Sequence, residues 1–131
     1  MKLLLDTHIW LRAVNWPEKL SRAVRRQLGN TRNELYLSPA SIWEAHQLVR
    51  KGKLRANPDF PGWLEGALSG VPVKEASFNF AVATEVSRIS LPQSDIGDLF
   101  LAATASVFDL TLVTADRQLI ECSWLKTLAD R

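Results

Sequence analysis

The chain has 131 residues, 47% of them hydrophobic and 23% charged, which indicates a folded globular protein and excludes a disordered one. The longest apolar stretch, residues 99–107, is interrupted by Thr104 and Ser106 and is too short to cross a membrane. Asp6 follows the first apolar run at once, so no signal-peptide core develops. A single cysteine, Cys122, excludes an intrachain disulfide, and we expect a cytoplasmic protein.

The net charge of +2 combines a basic first part with an acidic second part. Residues 1–55 carry 11 Lys/Arg against 4 Asp/Glu (net +7), and residues 56–131 carry 5 against 10 (net −5). The basic residues form two clusters: Lys19, Arg22, Arg25, Arg26 and Arg32, and then Arg50, Lys51, Lys53 and Arg55. Runs of this kind are often solvated helix faces, but beside an acidic pocket they would suit a nucleic acid.

Short apolar runs alternate with segments of helical periodicity. The runs predict strands at residues 2–5, 35–37, 71–73, 110–113 and 125–128. The periodic segments predict helices at residues 7–14, 17–28, 39–51, 57–68, 78–89 and 98–108, with a short one after Asp116. Thr7 is expected to cap the first helix, and Pro92 lies beyond the end of the fifth. The helix at 98–108 is apolar on nearly every side and should be the most buried.

This alternation predicts an α/β fold of three layers, in which a mostly parallel central sheet carries helices on both faces. Neither a repeat nor a second domain is visible, so residues 1–131 are expected to form a single domain. Most of the five tryptophans should lie in the core. Trp10 and Trp16, near the basic second helix, are alternatively candidates for a groove that binds a partner helix.

Four acidic residues stand at or near the ends of predicted strands. Asp6 and Asp116 directly follow strands, Glu44 lies on the helix after the second strand, and Asp98 opens the buried helix. A parallel sheet gathers such positions at one edge. Four carboxylates in one pocket repel each other unless a cation neutralises them. The pattern therefore predicts a divalent-metal site that acts on phosphates.

Each carboxylate also has a simpler explanation. Asp6 and Asp116 are common types of helix N-cap, and either Asp98 or Asp95 is a candidate cap for the buried helix. Glu44 alone could be a solvated helix residue, although its immediate neighbours are apolar. The two histidines, His8 and His46, lack the spacing of a zinc pair.

Four motifs occur in order: Leu3-Leu4-Leu5-Asp6-Thr7-His8, Ser41-Ile42-Trp43-Glu44, Asp95-Ile96-Gly97-Asp98 and Leu112-Val113-Thr114-Ala115-Asp116. Along essentially its whole length, the chain resembles PIN-domain proteins, specifically the VapC-type toxins of bacterial type II toxin–antitoxin pairs. The resemblance implies a PIN-like sandwich and a ribonuclease that depends on Mg²⁺, or alternatively Mn²⁺.

The resemblance also implies roles for individual residues. Asp6, Glu44, Asp98 and Asp116 match the family's acidic positions, with Asp6 and Asp98 as the foremost metal ligands; Asp95 matches an ancillary acidic position. Thr7 and Thr114 are candidates to supply hydroxyls to water or phosphate, or to act as ordinary caps. The chain departs from the family pattern at Ile96-Gly97, where Pro-Phe is usual, and at Leu99, where Arg is common. These departures concern substrate contacts rather than the metal pocket.

The partners that the resemblance implies are an RNA substrate, a cognate antitoxin and a second copy of the chain in a homodimer. Two other classes of function compete with this interpretation. An aspartate-nucleophile phosphatase would need a second Asp where His8 stands, and a phospho-receiver would need adjacent acids before its strand-end Asp. A non-catalytic module that binds RNA or protein is the stronger alternative, although it has no evident need for four carboxylates.

Overall fold

The computed structural model describes residues 1–91 and 95–131. Its strands form one sheet in the order β3-β2-β1-β4-β5, and every neighbouring pair is parallel. The strands are β1 (Lys2–Leu5), β2 (Glu34–Leu37), β3 (Lys74–Glu75), β4 (Thr111–Thr114) and β5 (Thr127–Ala129). The helices are α1 (Thr7–Asn15), α2 (Arg22–Leu28), α3 (Pro39–Arg50), α4 (Phe60–Gly70), α5 (Phe80–Val86), α6 (Ile96–Phe108) and α7 (Arg117–Ile120), with a 3₁₀ turn at Pro17–Lys19.

Alternation of side chains along β1 creates two hydrophobic clusters, one on each face of the sheet. Leu3 and Leu5 pack with Trp10 of α1 and with residues of α2, α3 and α4. Leu4 points to the other face and packs with Leu101 of α6 and with residues of β4 and α7. Because helices cover both faces, the three leucines of β1 are fully buried. The predicted three-layer α/β fold is confirmed.

The sheet has a topological switch point between β1 and β4. From β1 the chain builds outward to β2 and β3, and it later returns to the other side of β1 to add β4 and β5. The pairing of Leu5 with Val113 aligns the ends of β1 and β4, and the N–H of Asp6 donates to the carbonyl of Val113 over 3.0 Å. Ligand sites of open α/β sheets lie at this position, beyond the carboxyl ends of the strands.

Several predicted boundaries were wrong. The helix expected at 17–28 is split, because the hydroxyl of Ser21 accepts the N–H of Val24 and starts α2 afresh. The third strand lies at Lys74–Glu75 rather than 71–73, because α4 extends to Gly70. The fifth helix is shorter than expected, since Asn79 caps it and leaves Phe78 outside. The expected stop at Pro92 lies outside the described residues.

Two predictions about helix starts also need correction. Asp6 occupies the N-cap position of α1, so Thr7 is the first helical residue and is buried rather than capping. Asp95 caps α6, and Asp98 lies in the first turn instead of opening the helix. Among the helices of the described chain, α6 has the largest number of buried residues, five of 13, but α1 has the larger buried share, four of nine. The prediction that α6 is the most buried helix is therefore confirmed by number and not by share.

The tryptophans are more exposed than expected. Trp10 is fully buried, which excludes it from a partner groove, and Trp63 is half-buried against it, with ring centroids 5.7 Å apart. Trp16, Trp43 and Trp124 are all exposed. Sequence alone could not separate these cases, because a tryptophan on an amphipathic helix faces either the core or a partner. In the described part of the chain, no helix combines the length and apolarity needed to cross a membrane.

Candidate active site

Asp6 leaves the end of β1 and is only 8% exposed. Its side chain makes no capping bond to α1. Instead Oδ2 accepts the hydroxyl hydrogen of Thr114, at the end of β4, over 2.7 Å. Burial raises the pKa of this carboxyl, and the hydrogen bond from Thr114 and the nearby His8 act in the opposite direction. The fold therefore holds Asp6 in a fixed orientation at the switch point.

Glu44 reaches the same place from the second turn of α3. Its pKa is raised, and burial is the largest cause, followed by the negative charges of Asp6 and Asp95. A hydrogen bond from Thr7 lowers the pKa. Thr7 in turn bonds the hydroxyl of Ser41, with 2.8 Å between the two oxygens, and both residues are buried. Ser41 and Glu44 are three residues apart and share a helix face.

Ser41 is a member of the site that was not predicted from the sequence. The signal that could have found it is a serine one turn before a functional glutamate on the buried side of the same helix.

Asp98 connects the members of the cluster electrostatically. It lies half-buried in the first turn of α6, and its pKa is raised to about 7. Burial is the largest cause, followed by the charges of Asp95, Asp116, Asp6 and Glu44 in that order. Asp95 is the adjacent cap, because its Oδ1 accepts the N–H of Asp98 over 2.8 Å. The structure thus brings all four predicted carboxylates into one interacting group, with Asp95 at its margin.

Asp116 combines two roles that the sequence left as alternatives. Its Oδ1 caps α7 by accepting the N–H groups of Gln118 and Leu119, over 2.8 and 3.4 Å. Its charge also acts on Asp6 and Asp98. The backbone N–H of Asp116 donates to Oγ1 of Thr114 over 3.0 Å, so this one threonine supports both strand-end aspartates.

Gly97 lies closely against the site. A Cβ placed on it would be 3.1 Å from Oε1 of Glu44 and 3.3 Å from Oδ1 of Asp95. Both distances are shorter than ordinary van der Waals contact, so a larger residue would require Glu44 or Asp95 to shift. The glycine that departs from the family pattern is therefore matched to the position of Glu44.

The donor set fits a hard divalent cation. The pocket offers carboxylate oxygens whose charges repel each other, and none of the ion pairs within the described residues neutralises any of the four. Within residues 1–91 and 95–131, no three His, Cys, Asp or Glu side chains are arranged to hold a metal by themselves. Mg²⁺ usually takes only one or two carboxylates and completes its shell with water, so pairs from this cluster are sufficient.

The two histidines differ in position. His8 is exposed on the first turn of α1, where it offsets the charges of Asp6 and Glu44. His46 packs against Phe60, with ring centroids 5.0 Å apart. The absence of a zinc pair of histidines stays a prediction from the sequence spacing.

An apolar cavity of about 590 Å³ borders Glu44 and Asp95. Trp43, Phe78 and Phe100 line it, and the rings of Phe78 and Phe100 lie 4.7 Å apart. Trp43 remains 63% exposed, and none of the described residues that line the cavity is basic. The cavity therefore presents apolar surface beside the acidic pocket.

The two basic clusters lie in different places. The cluster at Arg50–Arg55 follows the end of α3, which begins after β2 at the carboxyl edge of the sheet and runs away from it for about 18 Å. The other cluster lies mainly on α2, whose cap Ser21 donates its N–H to Asp130 at the end of β5. Only this second cluster begins near the edge of the sheet that carries the carboxylates.

A parallel α/β sandwich with an acidic pocket at its switch point defines the class of this protein. Residues 3–125 match the model of the PIN domain, and the chain belongs to the PIN-domain family. PIN domains are generally nucleases and typically depend on divalent metal ions. A comparison with curated protein sequences finds no significant match.

Solved structures from three bacteria share the fold along nearly all of both chains. A chain of VapBC2 from Rickettsia felis, bound to a promoter DNA fragment, is 21% identical with a TM-score of 0.75 and 100% of each chain covered. DNA-bound VapBC from Salmonella typhimurium gives 20% identity, a TM-score of 0.71 and 98% coverage of each chain. VapBC-5 from Mycobacterium tuberculosis, a member of the VapBC family of toxin–antitoxin systems, is 17% identical with a TM-score of 0.62. The match covers 99% of this chain and 98% of the other.

Proposed function

We propose that this protein is the toxin of a toxin–antitoxin pair and acts in the cytoplasm as a metal-dependent endoribonuclease that hydrolyses RNA phosphodiester bonds. The observation that carries the proposal is the group of Asp6, Glu44, Asp98 and Asp116 at the switch point of a PIN fold, where burial and the neighbouring charges also raise the pKa of Asp98. Like charges in one pocket disfavour each other's ionisation, and a bound cation would offset that repulsion. The similarity to VapBC structures supports the toxin assignment.

The residues have separate roles in this proposal. Asp6 and Asp98 hold Mg²⁺ or Mn²⁺, and Glu44 and Asp116 either join them or orient water. When bound, the cation acts as a Lewis acid that offsets the charge on the phosphate and lowers the pKa of water. Thr114 orients the carboxylate of Asp6, which keeps the pocket preorganised before RNA arrives.

The direct test is cleavage of structured RNAs by the purified protein, freed of antitoxin, with Mg²⁺, Mn²⁺ or a chelator. We expect cleavage that chelation abolishes and that Asp98→Asn slows by roughly 100-fold, as for removal of a group that supports transition-state charge. Glu18→Gln, on the exposed 3₁₀ turn, is the matched control and should cleave normally.

Cleavage that persists in chelator, or equal rates for the Asp98 variant, would refute the metal mechanism. Absence of any cleavage together with tight binding of RNA or a partner would favour the non-catalytic module.

We propose that the antitoxin binds where the end of α1 meets the segment after α3. A cavity of about 370 Å³ there is lined by Trp16, Lys53, Leu54 and Arg55, and Lys19 lies over the Trp16 ring at 4.9 Å. Exposed aromatic and basic side chains together suit an acidic amphipathic segment. We expect Trp16→Ala with Lys53→Glu to reduce co-purification of a co-expressed antitoxin, whereas Asp98→Asn leaves it unchanged.

We also propose a homodimer. The support is the apolar cavity beside the pocket, with Trp43, Phe78 and Ile96 exposed around it. The lining residues that the structure describes include two carboxylates and no cationic side chain, so an apolar protein surface suits the cavity better than the RNA backbone. Sedimentation velocity should give a dimer for the parent and a monomer for Phe78→Glu. A monomeric parent at tens of micromolar would refute the proposal.

A further inference from the structure

A further cavity, of about 350 Å³, lies beside the chain segment that carries Asp116. It is lined by Ala115, Arg117, Ile120, Glu121 and Arg131. Ala115 and Arg117 are the immediate neighbours of Asp116 in the chain. The backbone N–H of Asp130 donates to the carbonyl of Thr114 over 2.8 Å, which places the end of β5, and with it Arg131, beside the end of β4. The cavity therefore adjoins the candidate active site.

The two arginines of this cavity are free to bind a ligand. Within the described residues, neither Arg117 nor Arg131 has a carboxylate within the 4.0 Å of an ion pair. Glu121, one helical turn after Arg117, lines the same cavity without pairing with it. Both arginines are exposed, and a guanidinium group is a cation with several N–H donors in one plane.

RNA that approaches the pocket meets a concentrated negative charge. A cation held by Asp6 and Asp98 would offset the charge of the cleaved phosphate, but the neighbouring phosphates of the strand need other partners. The basic cluster at Arg50–Arg55 begins at the far end of α3 and does not adjoin the pocket. Arg117 and Arg131 do adjoin it, and their planar donors match phosphate oxygens.

We propose that the cavity between Arg117 and Arg131 binds a backbone phosphate of the RNA strand next to the phosphate that is cleaved. The inference rests on the proposed ribonuclease function, whose substrate it positions. A cavity of 350 Å³ is roughly ten times the ~30 Å³ occupied by a water molecule, so a phosphate group and its ester oxygens fit. Binding there is independent of base identity, because it engages only the backbone.

The test measures binding separately from cleavage. The Asp98→Asn protein, in Mg²⁺, is titrated against a fluorescein-labelled 12-residue oligouridylate and followed by fluorescence anisotropy at several salt concentrations. Arg117→Ala and Arg131→Ala should each weaken binding about 5- to 10-fold and reduce the slope of log K against log salt by about 0.7. Arg117→Lys, which keeps a point charge, should retain most of the affinity. Arg50→Ala is the matched control and should bind within twofold of the parent.

The outcomes separate this inference from the proposed function. Parent-like affinity in the Arg117 and Arg131 variants, an equal loss in Arg50→Ala, or no measurable binding by the Asp98→Asn protein would each overturn the phosphate site. If Arg117→Ala and Arg131→Ala cleave RNA as fast as the wild-type protein, the ribonuclease function is supported and the phosphate site is refuted. If RNA binding depends on both arginines but the wild-type protein cleaves no RNA, the phosphate site is supported and the ribonuclease function is refuted. Circular dichroism of each variant verifies that it is folded.

Discussion

Thr114 and Asp6 are 108 positions apart in the chain, yet the hydroxyl of Thr114 donates to Oδ2 of Asp6 over 2.7 Å. The same oxygen of Thr114 accepts the backbone N–H of Asp116 over 3.0 Å. The bond is possible because β1 and β4 are neighbours whose ends are aligned. A single buried hydroxyl thereby couples the two strand-end aspartates of the site.

Replacing this hydroxyl by a methyl group should alter the chemistry of the site more than the fold. In Thr114→Val, Asp6 loses a hydrogen bond that favours its charged form, so its pKa rises further. We expect RNA cleavage to fall by roughly 10-fold and its pH profile to move to higher pH. Thr114→Ser should restore most of the activity.

The control for this prediction is Thr111→Val, at the start of the same strand. Thr111 makes no side-chain hydrogen bond within the described residues, so its replacement should leave the pH profile unchanged. An unshifted profile in Thr114→Val would show that Thr114 only supports the structure.

The raised pKa of Asp98 predicts how stability depends on pH. The carboxyl titrates near 7 in the folded protein and near 3.8 when unfolded, so the folded state holds the proton between these values. The charge of Asp98 therefore does not lower the free energy of unfolding below about pH 4. It lowers that free energy by its full amount above about pH 7. The metal-free parent should lose stability relative to Asp98→Asn across this window as the pH rises.

Water screens the charge of a half-buried group, so the effect should be modest. At pH 8 we expect the free energy of unfolding of Asp98→Asn to exceed that of the metal-free parent by about 1 kcal/mol, or roughly 3 °C in Tm. Thermal unfolding in chelator at pH 4, 6 and 8 measures it. Added Mg²⁺ should reverse the order at pH 8, because the cation stabilises only the protein that binds it. A difference that does not vary with pH would contradict the assignment of the shift to charge.

Gly97→Ala should separate stability from activity. Alanine favours the helix by up to about 1 kcal/mol, so the variant should fold at least as well as the parent. Its Cβ would lie 3.1 Å from Oε1 of Glu44 and displace that carboxylate by a few tenths of an ångström. We expect cleavage to fall about 3- to 10-fold, as small misplacements of catalytic groups are costly.

The matched control is Gly66→Ala in α4, where an added Cβ meets nothing within 4 Å. It should gain stability similarly and cleave RNA at the parental rate. Unchanged cleavage in Gly97→Ala would indicate that Glu44 moves freely or has no role in the reaction.

Replacement of Asp130 should lower the stability of the fold through the loss of two hydrogen bonds. Its side chain is 4% exposed and accepts the N–H of Ser21 over 2.7 Å and Nη1 of Arg12 over 3.2 Å. Asp130→Ala leaves both donors without this partner and should cost about 2–3 kcal/mol in urea unfolding.

Asp130→Asn keeps an acceptor for Ser21 and should lose less. If the two variants lose the same stability, the charge pairing with Arg12 dominates over the bond to the helix start.

The layered fold and the members of the acidic cluster were predictable because they depend on local patterns. Apolar runs at β1 and β4 and helical spacing in α3 and α6 follow from burial on one or both faces. Asp6 and Asp116 could be placed at one edge because parallel strands all end there. Ser41, Gly97 and Arg131 could not be assigned, because their contacts join segments that are distant in the chain.

The sequence by itself determined the α/β class, the parallel sheet and the resemblance to a metal-dependent nuclease family, since periodicity and strand-end acids are properties of single segments. Tertiary structure decided which acids cap helices and which interact, since a carboxylate's environment depends on packing between elements. It placed Asp95 at the N-cap of α6 and allowed the hydroxyl of Thr114 to form hydrogen bonds with both Asp6 and Asp116. It also buried Trp10 while leaving Trp43 exposed, because the faces of a helix are distinguished only by what packs against them.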